Sequence, residues 1–162
     1  MLSAIVAAIV IVFDLVSKLA VLANLKSVGS ISVIKGVLNF TYVENRGAAF
    51  GMLSDSRWVF LLGSVLIVAF IVFLILKMGN QNKLFDVTLG LILGGGIGNM
   101  IDRVRLGYVV DFIDFCAFPF WKWVFNVADS AVVIGCILLA VVIITDKNLF
   151  DEDKKDGGSK DE

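Results

Sequence analysis

The stretch FNVADSAVVIGCILLAVVII, residues 125 to 144, is apolar enough to lie in lipid, yet Asn126 and Asp129 stand near its start. A helix of about 20 apolar residues matches a bilayer core of roughly 30 Å. A carboxylate at the centre of that core costs about 2.5 to 3.5 kcal/mol on insertion scales, so membrane carboxylates tend to face a cavity and to have a function. Counting from Val124 at a rise of 1.5 Å per residue, Asp129 lies roughly 8 Å inside the helix. The acid is shallow, and the rest of the chain has to explain it.

The whole sequence has the composition of a membrane protein. Its 162 residues are 59% hydrophobic with a single proline, and the mean hydropathy is +0.93, far from a soluble domain. Three further segments can span a bilayer, Leu2 to Ala23, Trp58 to Leu76 and Leu84 to Ile101, with Val124 to Thr145 as the last. The fold expected is an all-α membrane protein of four transmembrane helices. Residues 1–150 form one integral domain, with spans at about 2–23, 58–76, 84–101 and 124–145 and long loops at 24–57 and 102–123. The first segment lacks a basic start and contains Asp14 and Lys18, so it reads as a permanent helix and not a cleavable leader. The tail 151–162, DEDKKDGGSKDE, has nothing apolar to bury and reads as disordered.

Four spans put both termini on one side of the membrane and both long loops on the other. Lysine and arginine do not orient the bundle. Seven lie on the loop side (Lys26, Lys35, Arg46, Arg57, Arg103, Arg105, Lys122) and six on the terminal side (Lys77, Lys83, Lys147, Lys154, Lys155, Lys160). With a net charge of −1 and no basic block, nucleic acid is not an expected partner. Cys116 and Cys136 form no CxxC, and histidine is absent, so neither a metal site nor a disulfide is expected.

The first loop carries ISVIKGVLNFTYV, whose β-branched and aromatic residues around Gly36 suggest a small hairpin or curved sheet. NRGAAFGML follows, a run of small residues suited either to a flap over the mouth of the bundle or to an ordinary loop. The second loop, VVDFIDFCAFPFWKWVF, is rich in Phe and Trp, which suit the headgroup region, so it is expected to lie along the membrane surface.

The polar residues of the spans converge. Asp14 and Lys18 stand i, i+4 in the favourable order for an ion pair. Asn99, Asp102 and Arg103 share a face where the third span exits, and Asn126 and Asp129 lie where the fourth enters. Chain direction brings all of these to the loop side, where Asp111 also lies.

The absence of histidine excludes Ser-His-Asp and Cys-His catalysis and HExxH metalloproteases. Ser17 and Lys18 are adjacent and point to different helix faces. Two carboxylates remain. Asp111 and Asp129, if brought close, could share one proton, one acting as base on water while the other acts as acid. A proton-coupled transporter uses membrane carboxylates too, and pattern alone leaves the peptidase and transporter readings open.

DLVSK (14–18), NRGAAFG (45–51), GGGIGNMIDR (94–103), VVDFID (109–114) and FNVADS (125–130) resemble, in order, the signature blocks of the signal peptidase II family, bacterial membrane aspartyl peptidases. The blocks run from the first span to the fourth and leave only the tail unmatched. Gly96 stands where the family more often has alanine. The spacings Gly90/Gly94 and Gly94/Gly98 also read as close helix packing.

The resemblance implies that Asp111 and Asp129 are catalytic. Asn45, Gly47, Asn99, Arg103 and Asn126 would line the site and hold substrate or dyad, with Asp14 and Lys18 in support. It further implies both termini in the cytoplasm and a site opening toward the outer leaflet of the bacterial inner membrane, which makes the small β-containing loop subdomain read from ISVIKGVLNFTYV extracytoplasmic. The implied substrate is a diacylglyceryl-modified prolipoprotein cut before its lipidated cysteine. The enzyme would be a monomer among membrane lipids, without cofactor, inhibited by globomycin.

Overall fold

The computed structural model describes residues 1–47, 57–79, 82–117, 120 and 123–146. The elements run α1 (Leu2–Asn24), β1 (Ser30–Ile34), β2 (Leu38–Asn45), α2 (Arg57–Met78), α3 (Lys83–Arg105), β3 (Val109–Phe115), β4 (Val124–Phe125) and α4 (Val127–Thr145). These four helices are each long and apolar enough to cross a membrane. The charged tail and residues 48–53 of the expected flap lie outside the described residues.

Helix α3 is the hub, packing against α1, α2 and α4. Small residues let it approach its neighbours. A methyl group at Gly94 would meet Val10 Cβ at 2.7 Å and the Ala7 carbonyl oxygen at 2.8 Å, so α1 rests almost on the α3 backbone there. The GxxxG spacing thus works as a packing surface. The face of α1 that meets α3 is a single stripe of Ser3, Ala7, Val10, Asp14, Lys18 and Val21, the three-and-four spacing of one helix side. Helix α2 buries only Ile71 and Met78 among its described side chains. Its remaining apolar surface, like the exposed Ile5, Ile9, Phe13 and Val16 of α1, suits hydrocarbon as solvent.

A four-stranded antiparallel sheet in the order β1-β2-β3-β4 caps the end of the bundle where α1 and α3 finish and α4 begins. The β1–β2 hairpin turns at Gly36, whose φ of +75° suits glycine. Irregularities between Ser32 and Ile34, and again between Phe40 and Val43, bend the sheet as the sequence suggested.

The second loop departs from expectation. Part of it, Val109–Phe115, is not an irregular loop but an interior strand of the sheet, with Val109, Val110, Asp111 and Phe112 buried. Its partners are β2 and β4, and Val110 and Phe112 pack with Val21, Leu25 and Tyr108 against the end of α1. A strand covered on both faces loses its polar alternation, and its aromatic content then resembles an interfacial segment. Two helix ends also move. Helix α3 runs on to Arg105, and Val124–Phe125 belongs to β4, so α4 starts only at Val127.

Two apolar clusters result. One, Ile71, Met78, Phe85, Leu89, Ile92 and Val142, fills the bundle toward the termini, and the other lies beneath the sheet. Buried Asp14, Lys18, Asp102 and Asn126 are gathered toward the sheet, whereas Ser3, Asp86 and Thr88 are buried toward the other end.

Candidate active site

Asn126 organises the site because of where α4 begins. It is the N-cap of that helix: its side-chain oxygen accepts the Asp129 N–H at 2.8 Å, and Asp129 Oδ2 accepts the Asn126 N–H at 3.3 Å. This reciprocal capping box satisfies two backbone donors that a helix start leaves open. It also fixes Asp129 on the first turn, facing α3.

The Asn126 amide nitrogen, fully buried, donates to Asp111 Oδ1 at 2.6 Å and to Asn99 Oδ1 at 3.1 Å. Asn99 in turn donates through Nδ2 to Asp129 Oδ1 at 2.7 Å. Asn45, from the last position of β2, donates to Asp111 Oδ2 at 2.8 Å. Asp111 and Asp129 are therefore tied together through Asn126, and each also receives an amide N–H from a separate element. Asp111 is buried in β3, while Asp129 is only partly covered.

Beneath this pair lies an ionic cluster. Lys18 Nζ stands 2.8 Å from Asp14 Oδ2 and 3.1 Å from Asp102 Oδ2, with all three side chains buried. The ammonium also donates to Asn99 Oδ1 at 3.0 Å, so the two layers share Asn99. Both carboxylates have backbone work as well: Asp14 Oδ1 accepts the Ala128 N–H of α4 at 2.9 Å, and Asp102 Oδ2 accepts the Val110 N–H of β3 at 3.1 Å. The cluster pins the start of α4 and the strand carrying Asp111 to α1 and α3.

Burial pushes the Asp111 carboxyl up to about 7, and the negative charge of Asp129 adds to the effect. The amides of Asn45 and Asn126 pull the other way, because they favour the ionised form.

The structure brings together Asp14, Lys18, Asn45, Asn99, Asp111, Asn126 and Asp129. Gly47 joins through its N–H, which donates to Asn45 Oδ1 at 3.2 Å. Arg103 is nearby in a looser role, donating to the Asn99 carbonyl of its own helix at 3.4 Å and resting 5.5 Å from the centre of the Phe60 ring. Asp102 was seen in the sequence only as a neighbour of Asn99 and Arg103 on one face. Its i+3 spacing from Asn99 was the available signal, but its partner Lys18 lies in another helix.

Four membrane-length helices closed by a small sheet over paired carboxylates and amides define a polytopic membrane protein with a carboxylate-centred site. The chain belongs to the signal peptidase II family: the family model described as "Signal peptidase (SPase) II" matches residues 6–145. It is 47% identical over 140 residues to the "Lipoprotein signal peptidase" of Caldanaerobacter subterraneus subsp. tengcongensis, covering 86% of this chain and 94% of that protein. The protein of that name from Halothermothrix orenii is 43% identical over 147 residues, covering 91% and 98%. Solved structures agree. A bacterial membrane enzyme determined by the in meso method at 2.3 Å superposes with a TM-score of 0.80 at 36% identity, covering 94% of this chain and 92% of that one. A second, at 1.9 Å, gives 0.81 at 37% identity, covering 89% and 93%. Family membership decides for the peptidase reading over the transporter.

Proposed function

We propose that the protein is an aspartic endopeptidase that removes the signal peptide from diacylglyceryl-modified prolipoproteins, cutting before the lipidated cysteine, with Asp111 and Asp129 as the catalytic pair. The observation that carries this reading is Asn126, which binds Asp111 through its amide nitrogen at 2.6 Å and Asp129 through a capping box, linking two carboxylates from different elements.

Two carboxylates this closely coupled favour a state with one shared proton. The ionised member takes a proton from water as the water oxygen adds to the scissile carbonyl. The protonated member gives its proton toward the departing amine as the C–N bond breaks. One water is consumed, and the products are the carboxyl end of the signal peptide and a free amino group on the lipidated cysteine. Asn99, Asn126 and Asn45 hold the carboxylates without neutralising them. Asp14, Lys18 and Asp102 hold the elements that carry them, Arg103 shields the α3 side, and Gly47 fixes the Asn45 amide.

A doubly acylated substrate stays anchored in the bilayer, so its scissile bond must be met near the surface of the membrane. Asp129 on the first turn of α4 is at that depth. In the proposed arrangement both termini are cytoplasmic and the sheet faces outward from the inner membrane. The chain acts as a monomeric single domain among membrane lipids, its tail disordered, and globomycin blocks the site.

The test is incubation of purified protein in detergent with a diacylglyceryl-modified prolipoprotein and with its unlipidated form. Cleavage of the first and sparing of the second, read by size and by the N-terminus of the product, is expected. Cleavage elsewhere than before the cysteine, or none, would overturn the proposal.

A further inference from the structure

Glu44 stands one residue before Asn45 on β2, and its side chain collects an unusual number of partners. Tyr42 Oη donates to Glu44 Oε1 at 2.9 Å, and Arg46 Nη2 donates to Oε2 at 2.7 Å. Lys26, just beyond α1, brings its ammonium to 3.6 Å from Oε1 and lies 5.5 Å from the centre of the Tyr42 ring. Tyr108, immediately before β3, places its hydroxyl 3.3 Å from that of Tyr42 and carries the Arg46 guanidinium 5.0 Å from the centre of its ring. The groups facing Glu44 are thus two cations and one phenol, from the segment after α1 and from β2 and its exit, with Tyr108 of the turn into β3 backing Tyr42 and Arg46.

Fold stability does not explain this cluster. Lys26 and Arg46 are about half exposed, at 53% and 54%, and exposed ion pairs contribute little. Geometry gives a better reason. Side chains alternate along a strand, so Glu44 and Arg46 reach each other on one face while Asn45 between them projects toward the other. There the two ends of the Asn45 amide are both engaged: Oδ1 accepts the Gly47 N–H at 3.2 Å, which leaves Nδ2 to donate to Asp111 Oδ2 at 2.8 Å. The Glu44–Arg46 clasp therefore frames the residue of β2 whose side chain is hydrogen-bonded to Asp111, beside Val43, which pairs with Asp111 across the sheet.

We propose that Glu44 is a positioning residue for the reaction: by clasping Arg46, Tyr42 and Lys26 it fixes the backbone from which Asn45 donates to Asp111. The inference rests on Asp111 being one of the catalytic carboxylates. Asp111 also faces Asp129 and Asn126 from the start of α4, and feels the charges of Lys18 from α1 and Arg103 from α3. Only the Asn45 contact depends on Glu44. An amide N–H favours an ionised carboxylate, so if Asn45 drifts away, Asp111 keeps its proton to higher pH. Glu44 thereby acts on the chemistry from the far side of the strand.

The experiment measures kcat and KM from pH 5 to 9 on diacylglyceryl-modified prolipoprotein, with thermal unfolding in the same detergent. For Glu44→Ala, kcat should fall about tenfold, the value of one hydrogen bond to a charged group. KM and Tm should stay near wild type, and the upper limb of the pH profile should move to higher pH. Glu44→Gln keeps one acceptor oxygen, enough for Arg46 but not for Tyr42 as well, and should recover part of the rate. The double variant Glu44→Ala/Asn45→Ala should match Asn45→Ala alone. A Glu44→Ala enzyme with wild-type kcat and an unmoved limb would overturn the inference. So would effects of Glu44→Ala and Asn45→Ala that simply add, or a lost rate that follows a lowered Tm with the limb in place. Asp111→Asn runs alongside: activity there would sink the dyad itself, whereas its inactivity beside a normal Glu44→Ala enzyme removes only Glu44.

Discussion

Two pairs of aspartates lie close together at the sheet end of the bundle, and the protein compensates them in opposite ways. Asp14 and Asp102 share a lysine ammonium within 3.1 Å. Asp111 and Asp129 receive side-chain amides, from Asn45, Asn99 and Asn126. A buried cation between two carboxylates ties both into one ion-paired cluster. An amide donor orients the carboxylate yet leaves its protonation open to change. The first pair is built as structure, and the second, in the proposed reaction, exchanges a proton. Asn99 joins them, receiving from Lys18 and donating to Asp129.

The sharpest way to break the comparison is to neutralise each pair. Asp111→Asn and Asp129→Asn keep shape but can neither take nor give the proton. Each should lower turnover by at least the 10²- to 10⁴-fold that roughly attends loss of a positioned acid or base. Because the two act as a unit, the double variant should be no worse than either single one. Both should remain folded in detergent, as read by thermal unfolding. Substantial activity in either would remove the distinction between the pairs.

Lys18→Met tests the structural half. It strands two buried carboxylates at once and should cost on the order of 3 to 5 kcal/mol, as breaking a buried ion pair does. Asp14→Asn leaves Lys18 with Asp102 and should cost less. Adding Asp14→Asn to Lys18→Met should restore part of the loss, since one stranded charge is removed. Strictly additive shifts in Tm would mean that the three do not form one cluster.

This division was only half legible in the sequence. Chain direction alone brought Asp14, Lys18, Asn99 and Asn126 to one end of the bundle, because helix ends alternate sides of the membrane. The i, i+4 spacing gave the Asp14–Lys18 pair, and the hairpin around Gly36 followed from β-branched residues and a glycine. Contacts between elements had no such periodic signature. Lys18 meets Asp102 across two helices, and Asn126 meets Asp111 through the packing of β3 on the start of α4. Strand β3 was not read as a strand because its covered faces show no alternation, and β4, at two residues, is too short to carry a pattern. The contacts of Glu44 and Arg46 were hidden for a related reason: charged residues in a loop read as solvated until the tyrosines beside them are located.

A smaller effect is expected at Gly98. A methyl group there would fall 2.6 Å from Asp14 Oδ2 and 3.3 Å from Ala128 Cβ. Gly98→Ala pushes directly on the carboxylate that holds Lys18 and the Ala128 N–H, and overpacking of this kind typically costs about 1 to 3 kcal/mol. Thermal unfolding should show the loss, and kcat should fall less than in the aspartate variants. At Gly96 the nearest neighbour is Val68 Cγ2 at 3.3 Å, a flexible contact with α2, so Gly96→Ala should be close to neutral. Equal damage at the two positions would show that Gly98 matters for packing alone and not for Asp14.

The subtlest difference is in pH dependence, and it isolates a single group. Asp111 binds its proton up to about pH 7 in the fold, against an ordinary value of 3.8. Between roughly pH 4 and 7 the folded protein therefore holds a proton at this site that the unfolded chain has released. Linkage then requires stability to fall as pH rises through that window. Glu44 behaves oppositely: its bonds to Arg46 and Tyr42 hold it below its ordinary 4.5. What little stability it contributes, its partners being half exposed, is present above that value and is lost on acidification below it, at the acid edge of the Asp111 window. Thermal unfolding of wild type and Asp111→Asn, measured side by side from pH 4 to 8, should give curves whose separation changes between pH 4 and 7 and is constant above. The variant should gain on the wild type as pH rises, because it has no carboxylate to ionise in a buried site. A constant separation across the whole range would mean that Asp111 is as easily ionised as an exposed aspartate, and that the amide-bound pair differs from the lysine-bound pair only in its partners.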